Sequence, residues 1–390
     1  MSPRTDPNSP DEGLAIGYQP SSFEADTRYL HRLYRALGHE RNFLGFLDHL
    51  GRVMGEVGPL LGMFDAQGSN PYARNRFDTG TQDYEEEVLR YFAALAGASP
   101  GQAQGFVAAS PHDALLGGLL SARGGLPEPS VYVSEQAHCE VVRAGERLGM
   151  YTVRVRALPD GTMDAEDLRL QSRLRRGAGA LVVAACGTPL HGAIDDVADL
   201  YAAAGEFGPV HVPVDASAGG LAAAHSNEAL SWSFAHGAHS LTLSGHSLLG
   251  LPVPAGISVV RRRQVAPTAP APGMAVSGHL VVGSRGGLAV LLLWARLRSL
   301  GRAGVAAMVA RCQDVAAYAL EEFRAAGASP ECFPGSLTVT FACPPVWVVD
   351  KWCLEVFGDR ARITATGPMT HTAVAELAAG LSAARQGVAA

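Results

Sequence analysis

Three histidines, one aspartate and one serine carry most of the chemistry this sequence offers. His112, His138 and His246 each lie beside a short apolar run, Asp215 closes the run 210–214, and Ser247 follows His246 directly. Imidazole is the side chain whose ordinary titration spans neutral pH. A serine becomes a nucleophile only with a base within hydrogen-bond reach. Neighbours in sequence usually point apart, so His246 and Ser247 do not make a dyad by adjacency. His138, His112 and Asp215 would have to converge on Ser247 to activate it. Ser244, Thr188, Ser284, Cys139 and Arg285 complete the polar set. The gaps are as informative: there is one lysine, Lys351, and no P-loop. The six cysteines show neither Cys-x-x-Cys nor a zinc spacing, so no metal is expected.

The elements that must position these residues alternate in type. Short apolar strands are expected over 131–134, 152–156, 180–185, 210–214, 239–243 and 256–261. Between or before them the spacing is helical over 83–96, 139–148, 165–176 and 196–207, and Gly97, Gly149 and Gly208 stand where helices stop. Apolar strands alternating with helices imply a mainly parallel sheet covered on both faces. Asp215 then sits at a strand's carboxyl end, where ligands gather in such sheets. Further helices are expected over 288–300 and 305–326, and a half-buried strand over 336–341. Residues 1–20 read as disordered, 23–61 as amphipathic helix, and 68–76 and 266–273 as links.

Composition narrows the partners. The net charge of −6 and pI near 6.1 give no basic footprint for nucleic acid. The N-terminus lacks the basic start and apolar run of a signal peptide, and the longest apolar run is too short to span a bilayer. With cysteines reading as free thiols, a soluble cytoplasmic protein is expected.

A series of short motifs, in order from residue 37 to the C-terminus, resembles one enzyme family. Asn70-Pro71-Tyr72 with Tyr84-Glu85 opens it, and Val131-Tyr132-Val133-Ser134 with Ala137-His138 follows. Then come Gly161-x-Met163-Asp164, Gly187-Thr188 with Gly192-Ala193-Ile194-Asp195, and Val214-Asp215-Ala216. Ser244-Gly245-His246, Gly283-Ser284-Arg285 and Lys351-Trp352 complete it. Together they resemble the group II pyridoxal-phosphate decarboxylases, in the branch of bacterial histidine and plant serine decarboxylases. The resemblance implies a fold-type I α/β architecture: a large, mainly parallel-sheet lobe and a smaller α+β C-terminal lobe. The boundaries expected are 1–80 for the tail and N-terminal helical segment, 81–300 for the large domain and 301–390 for the small one.

The same resemblance exposes the departures. In the family the residue after Gly-His is the lysine that forms the Schiff base, and here it is Ser247. Asp215 matches the acid on the pyridine nitrogen and His138 the ring-stacking histidine. The family's phosphate cup, Gly-Gly-Thr-Glu-x-Asn at a helix N-terminus, is Ser110-Pro111-His112-Asp113-Ala114-Leu115 here, and proline brings no N–H donor. Ser244, Thr188, Ser284 and His112 are the remaining candidates for a phosphate. Lys351 matches a small-lobe lysine that relatives carry in addition to the imine-forming one. The expectation is a repurposed enzyme with no covalent cofactor, in which pyridoxal phosphate binds noncovalently and weakly if at all. His138, His246, Asp215 and Ser247 would do acid–base chemistry on an amino-acid-derived or other small metabolite, with Cys139 and Arg285 on the substrate wall. By analogy, a divergent copy in a GC-rich genome fits specialised metabolism. Two alternatives stand beside it: an inactive homologue that binds a ligand or regulates a partner, and a lyase using noncovalent pyridoxal phosphate. A homodimer is expected, with no nucleic acid, membrane or metal partner.

Overall fold

The computed structural model describes residues 66–67, 71–72, 80–262 and 285–386, all within the unit Leu44–Ala390. The tail at 1–20, the helical segment at 23–61, most of the link at 68–76, the link at 266–273 and Ser284 lie outside the described residues. Strand β1 (Ala66–Gln67) is the first described element, and helix α1 (Gln82–Leu95) follows. Glu85, Val88, Leu89 and Phe92 recur at helical spacing on the buried face of α1.

The central sheet is built from β2 (Ala103–Ala108), β3 (Ser130–Ser134), β4 (Tyr151–Val155), β5 (Ala180–Ala185), β6 (Val210–His211), β7 (Pro213–Asp215), β8 (Ser240–Ser244) and β9 (Gly256–Arg261). Its order is β2-β9-β8-β7-β5-β3-β4, with β6 beside β5. The links from β4 through β3, β5 and β7 to β8 are parallel, and each residue of β5 is buried, as a strand covered on both faces must be. Strands β8 and β9 are antiparallel, because no helix crosses over in the short connection between them. Helices α2 (Pro111–Arg123), α3 (Cys139–Arg147), α4 (Ala165–Arg173), α5 (Val197–Gly205) and the short α6 (Gly220–Ala223) make the crossovers. From β3 the chain turns to β4 on one side, and from β5 it proceeds to β7 on the other. A crevice opens at such a switch point, outside the carboxyl ends of the strands.

After β10 (Arg285–Gly286), helix α7 (Gly287–Ala325) leads out of the sheet. Its path breaks at Gly301, where φ is +63°, a conformation glycine takes without a Cβ clash. The two helices expected over 288–300 and 305–326 are the two sides of that break. The small lobe is an antiparallel sheet, order β11-β12-β14-β13, made from β11 (Glu331–Cys332), β12 (Thr338–Ala342), β13 (Glu355–Phe357) and β14 (Arg360–Thr364). Helices α8 (Val346–Trp352) and α9 (His371–Arg385) cover it. One apolar core is continuous from Val182 in β5 through Val305 in α7 to Ile363 in β14.

Two buried carboxylates fix the frame. Asp195 accepts hydrogen bonds from the backbone N–H of Ala185, at the end of β5, and of Met163, both at 2.7 Å. Burial pushes its carboxyl up to about 6 despite those donors. Glu85 pairs with Arg285 and accepts the N–H of Val107 at 2.7 Å. Burial raises the Glu85 carboxyl, with the Arg285 guanidinium working in the opposite direction. No described helix is long and apolar enough to cross a membrane.

Candidate active site

A cavity of about 360 Å³ opens at that crevice. Each wall comes from a different element, so the site exists only in the folded chain. Asp215 ends β7 and Ser217 follows it, Ser244 ends β8 with His246 and Ser247 after it, and His138 and Glu140 begin α3. Pro111, His112 and Leu115 come from the first turn of α2, and Gly187 and Pro189 from the loop after β5. The small lobe contributes Glu355 and Arg362.

At one end stands Asp215, partly buried. Its Oδ1 accepts both the N–H of Ser217 at 3.2 Å and the Ser217 hydroxyl at 2.6 Å. Among the described residues Oδ2 receives no hydrogen bond, so one carboxylate oxygen is left for a ligand. His138 caps α3 from the rim, its Nδ1 accepting the N–H of Glu140 at 3.3 Å. A nitrogen that accepts a backbone N–H is unprotonated, so in the neutral ring the hydrogen sits on Nε2.

The other end is a compact polar knot. Ser244 Oγ accepts the N–H of His246 at 3.3 Å and of Ser247 at 3.2 Å. The same oxygen lies 2.8 Å from Ser247 Oγ and 3.1 Å from His246 Nδ1, and that nitrogen also accepts the N–H of Ala255 at 3.3 Å. His246, like His138, therefore carries its neutral-ring hydrogen on Nε2. His112 Nε2 lies 2.6 Å from Arg147 Nη1, a pure donor, so His112 has the opposite tautomer with Nδ1–H. That buried nitrogen has no hydrogen-bond partner and is 3.7 Å from Glu140 Oε2.

The start of α2 answers whether a phosphate fits. Ser110 is the N-cap; its Oγ accepts the N–H of Asp113 at 3.1 Å and donates to Asp113 Oδ2 at 2.8 Å. Pro111 at the first helical position has no N–H. The N–H of Ala114 returns to Ser110 O at 3.1 Å. Of the donors that would make this terminus an anion site, the N–H of His112 remains. On the opposite side, a Cβ at Gly256 would lie 2.1 Å from Ser110 O, so β9 already abuts the cap. Nor does the cavity present an amine. The lysine, Lys351, is an exposed residue of α8 whose Nζ lies 5.7 Å from the Trp352 ring, and it is not on the cavity wall. Asp215 and His138 suit a planar ring, but among the described residues the groups that would anchor the phosphate and the aldehyde of pyridoxal phosphate do not fit it.

Seven of the residues expected at the site reach this cavity or its edge: His112, His138, Asp215, Ser244, His246 and Ser247 line it, and Thr188 borders a small adjoining void. Thr188 has another task, since its Oγ1 accepts the N–H of Ala193 at 3.0 Å and closes the loop after β5. Cys139 is exposed and off the wall; the next residue, Glu140, points in instead. Arg285 requires a correction. It is 5 % exposed, paired with Glu85 and bonded to Val107 O at 2.8 Å, and so serves the frame rather than the cavity. Ser284 lies outside the described residues. Sequence reasoning missed Glu140, Ser217, Glu355 and Arg362. The alternation of Arg360, Arg362 and Thr364 with Ala361 and Ile363 puts Arg362 on the polar face of a hairpin, and it does not say that this face meets the cavity. There Arg362 and Glu355 pair directly across β14 and β13, Nε bonding Oε2 at 2.6 Å.

The comparisons agree on the scaffold. Residues 124–334 match the conserved domain of pyridoxal-dependent decarboxylases. A histidine decarboxylase of Acinetobacter baumannii strain ACICU is 29% identical over 300 residues, 76% of this chain and 77% of that protein. One from Pseudomonas fluorescens is 28% identical over 356 residues, 90% of this chain and 81% of that protein. Among solved structures, L-methionine decarboxylase from Streptomyces sp. 590 superposes with a TM-score of 0.84 at 18% identity, covering 97% of this chain and 99% of that one. A sphingosine-1-phosphate lyase from Burkholderia pseudomallei reaches 0.79 at 20% identity, over 95% and 92%. The fold is that of the fold-type I decarboxylases.

Proposed function

The chain belongs to the pyridoxal-dependent decarboxylase family, and from that premise we propose that it is a repurposed enzyme in which Ser247 has taken the place of the imine-forming lysine. It holds no covalent cofactor and uses the old cofactor cleft for acid–base chemistry on an amino-acid-derived or other small metabolite. The observation that carries this reading is the cavity wall itself: titratable and hydroxyl groups converge there from several elements, and among the described residues no amine joins them. A vacant cleft under no chemical demand has no physical reason to keep Asp215, His138 and His246 facing one space.

The tautomers divide the roles. With Nδ1 of His138 accepting a backbone N–H, its neutral ring presents Nε2–H to a ligand as a hydrogen-bond donor, and delivery of a proton falls to its imidazolium form. Removal of a proton, or retention of a cation, falls to Asp215 Oδ2. Proton transfer by positioned groups of this kind accelerates reactions by roughly 10²–10⁴-fold.

The test is spectroscopic first. Purified protein mixed with pyridoxal phosphate is expected to show no internal-aldimine absorption band, and borohydride is expected to fix no cofactor to the chain. A pyridoxyl adduct at Lys351 would overturn the reading. A panel of amino acids and amines, followed by mass spectrometry, then reports turnover. The protein is further proposed to act as a two-fold homodimer in the cytoplasm, a reading supported by the apolar spacing over 23–61. A stable monomer in sedimentation at micromolar concentration defeats the dimer.

A further inference from the structure

The cavity has a polarity, and it runs against a phosphorylated ligand. Among the described residues its wall carries three carboxylates, Glu140, Asp215 and Glu355, against one guanidinium, Arg362. That guanidinium is already engaged, Nε and Nη2 both going to Glu355 Oε2. A phosphate dianion entering this space meets excess negative charge and a helix terminus that keeps one free backbone donor, the N–H of His112, among the described residues. A cation meets Asp215 Oδ2, which has no donor among the described residues.

The serine knot sets the opposite pole. A hydroxyl has two lone pairs and one hydrogen. Both lone pairs of Ser244 Oγ are taken by the N–H groups of His246 and Ser247. Its hydrogen goes to the nearer oxygen, Ser247 Oγ at 2.8 Å, because His246 Nδ1 is already served by the N–H of Ala255. Ser247 accepts that bond, and its own hydrogen is left to donate. The reverse arrangement would crowd three donors onto Ser244 and two onto His246 Nδ1.

We propose that this cleft selects a small unphosphorylated cation, which presents a protonated nitrogen to Asp215 and a neutral acceptor oxygen to Ser247, with Ser244 as the positioning residue that turns the Ser247 hydroxyl toward the ligand. This rests on the reading of the cleft as a working site and adds the class of molecule it takes.

The experiment is a pair of calorimetric titrations of the full chain, with pyridoxamine and with pyridoxamine 5′-phosphate. The two probes share the ring and the ammonium and differ in the phosphate. Pyridoxamine is expected to bind at least as tightly as its phosphate ester. Asp215→Asn is expected to weaken pyridoxamine at least tenfold. Ser247→Ala and Ser244→Ala are each expected to weaken it about threefold, and Ser244→Thr, which keeps the hydroxyl, to restore it. Phosphate-ester binding tenfold tighter than pyridoxamine, or no binding of either probe at millimolar concentration, overturns the proposal. The wild-type pair needs no variant to fold. A protein that prefers pyridoxamine yet turns over no metabolite keeps this inference and defeats the enzymatic reading above. One that turns over a metabolite while preferring the phosphate ester does the reverse.

Discussion

Two ends of the cavity, one at β7 and one at the helix after β2, differ in what they leave open. At the end of β7, Asp215 spends one oxygen on Ser217 and keeps the other for a ligand. At the start of α2, Ser110 and Asp113 spend their polar groups on each other, and Pro111 has none to offer. The first end is preorganised toward a guest. The second turns the side chains of Ser110 and Asp113 on each other, so that neither is left for a guest. A scaffold can therefore keep one half of an ancestral site and close the other, because each half hangs on its own element. On the proposed reading, ring recognition survives and phosphate recognition does not.

The hardest blow to that contrast falls on the open end. Asp215→Asn and His138→Ala are expected to cut turnover of whatever metabolite the panel identifies by about 10²–10⁴-fold, with the far-ultraviolet circular dichroism spectrum unchanged. Equal losses from Asp113→Asn would mean that the helix end is also chemical and that the two ends do not differ.

Next comes repair of the closed end. Ser247→Lys alone is expected to give a protein without an aldimine band and without histidine or serine decarboxylation, because the start of α2 still lacks donors. Changing Ser110-Pro111-His112 to Gly-Gly-Thr in the same variant is expected to tighten pyridoxal phosphate by tenfold or more. If Ser247→Lys by itself yields a yellow, active decarboxylase, the helix end was never closed, and an inactive homologue becomes the better account of the natural chain.

How far the sequence revealed this division depended on the range of the forces involved. Asp215 was legible because an apolar run ends at it, and strand ends in such sheets face the crevice. The break near Gly301 was legible because glycine punctuates a helical pattern. Pro111 was legible because its lost N–H is a property of the residue alone. Arg285 misled, since its partner Glu85 lies 200 residues away and no local pattern records a pair brought together by the whole fold. Glu140 lay hidden behind Cys139, because a helix start turns one of two adjacent residues inward and the sequence does not say which. The antiparallel run of β9 followed from a helix-free connection whose direction apolar content does not encode. The tautomers of His138 and His246 needed the positions of Glu140 N and Ala255 N.

A smaller effect tests the floor that both ends share. Asp195 holds the carboxyl end of β5 by accepting two backbone N–H groups. Asp195→Ala leaves those donors without a partner, at a cost of about 2–3 kcal/mol in denaturant unfolding. Its carboxyl, raised to about 6 by burial, is ionised at a cost in the fold, so its own contribution improves as pH falls from about 6 toward its unfolded value. In Asp195→Ala this gain is absent. A penalty that shrinks on acidification would show that the group is not held as described.

The smallest effect concerns His239, which ties the strands that bear Asp215 and Ser244 and has the opposite sign. Its Nδ1 accepts the N–H of Val212, just before β7, at 3.0 Å, and the residue itself directly precedes β8. Its ring stacks on His211, with centroids 4.7 Å apart. Burial, reinforced by His211 and Arg261, lowers the imidazole to about 3. The fold thus refuses a proton that the unfolded chain takes up near pH 6.5. Between those values the unfolded state binds more protons, so stability is full above about 6.5 and drains away as pH falls toward 3. One proton of difference is worth about 1.4 kcal/mol per pH unit, and His211, lowered by the same burial, adds in the same direction. His239→Gln keeps an acceptor for Val212 but cannot take a proton. It is expected to be the weaker protein at pH 7.5 in urea unfolding, by about 1 kcal/mol for lost packing. By pH 5 that gap is expected to close or reverse, because the wild type alone pays for the excluded proton. A gap that stays constant across this range would mean that the strands bearing Asp215 and Ser244 are not held by a neutral His239.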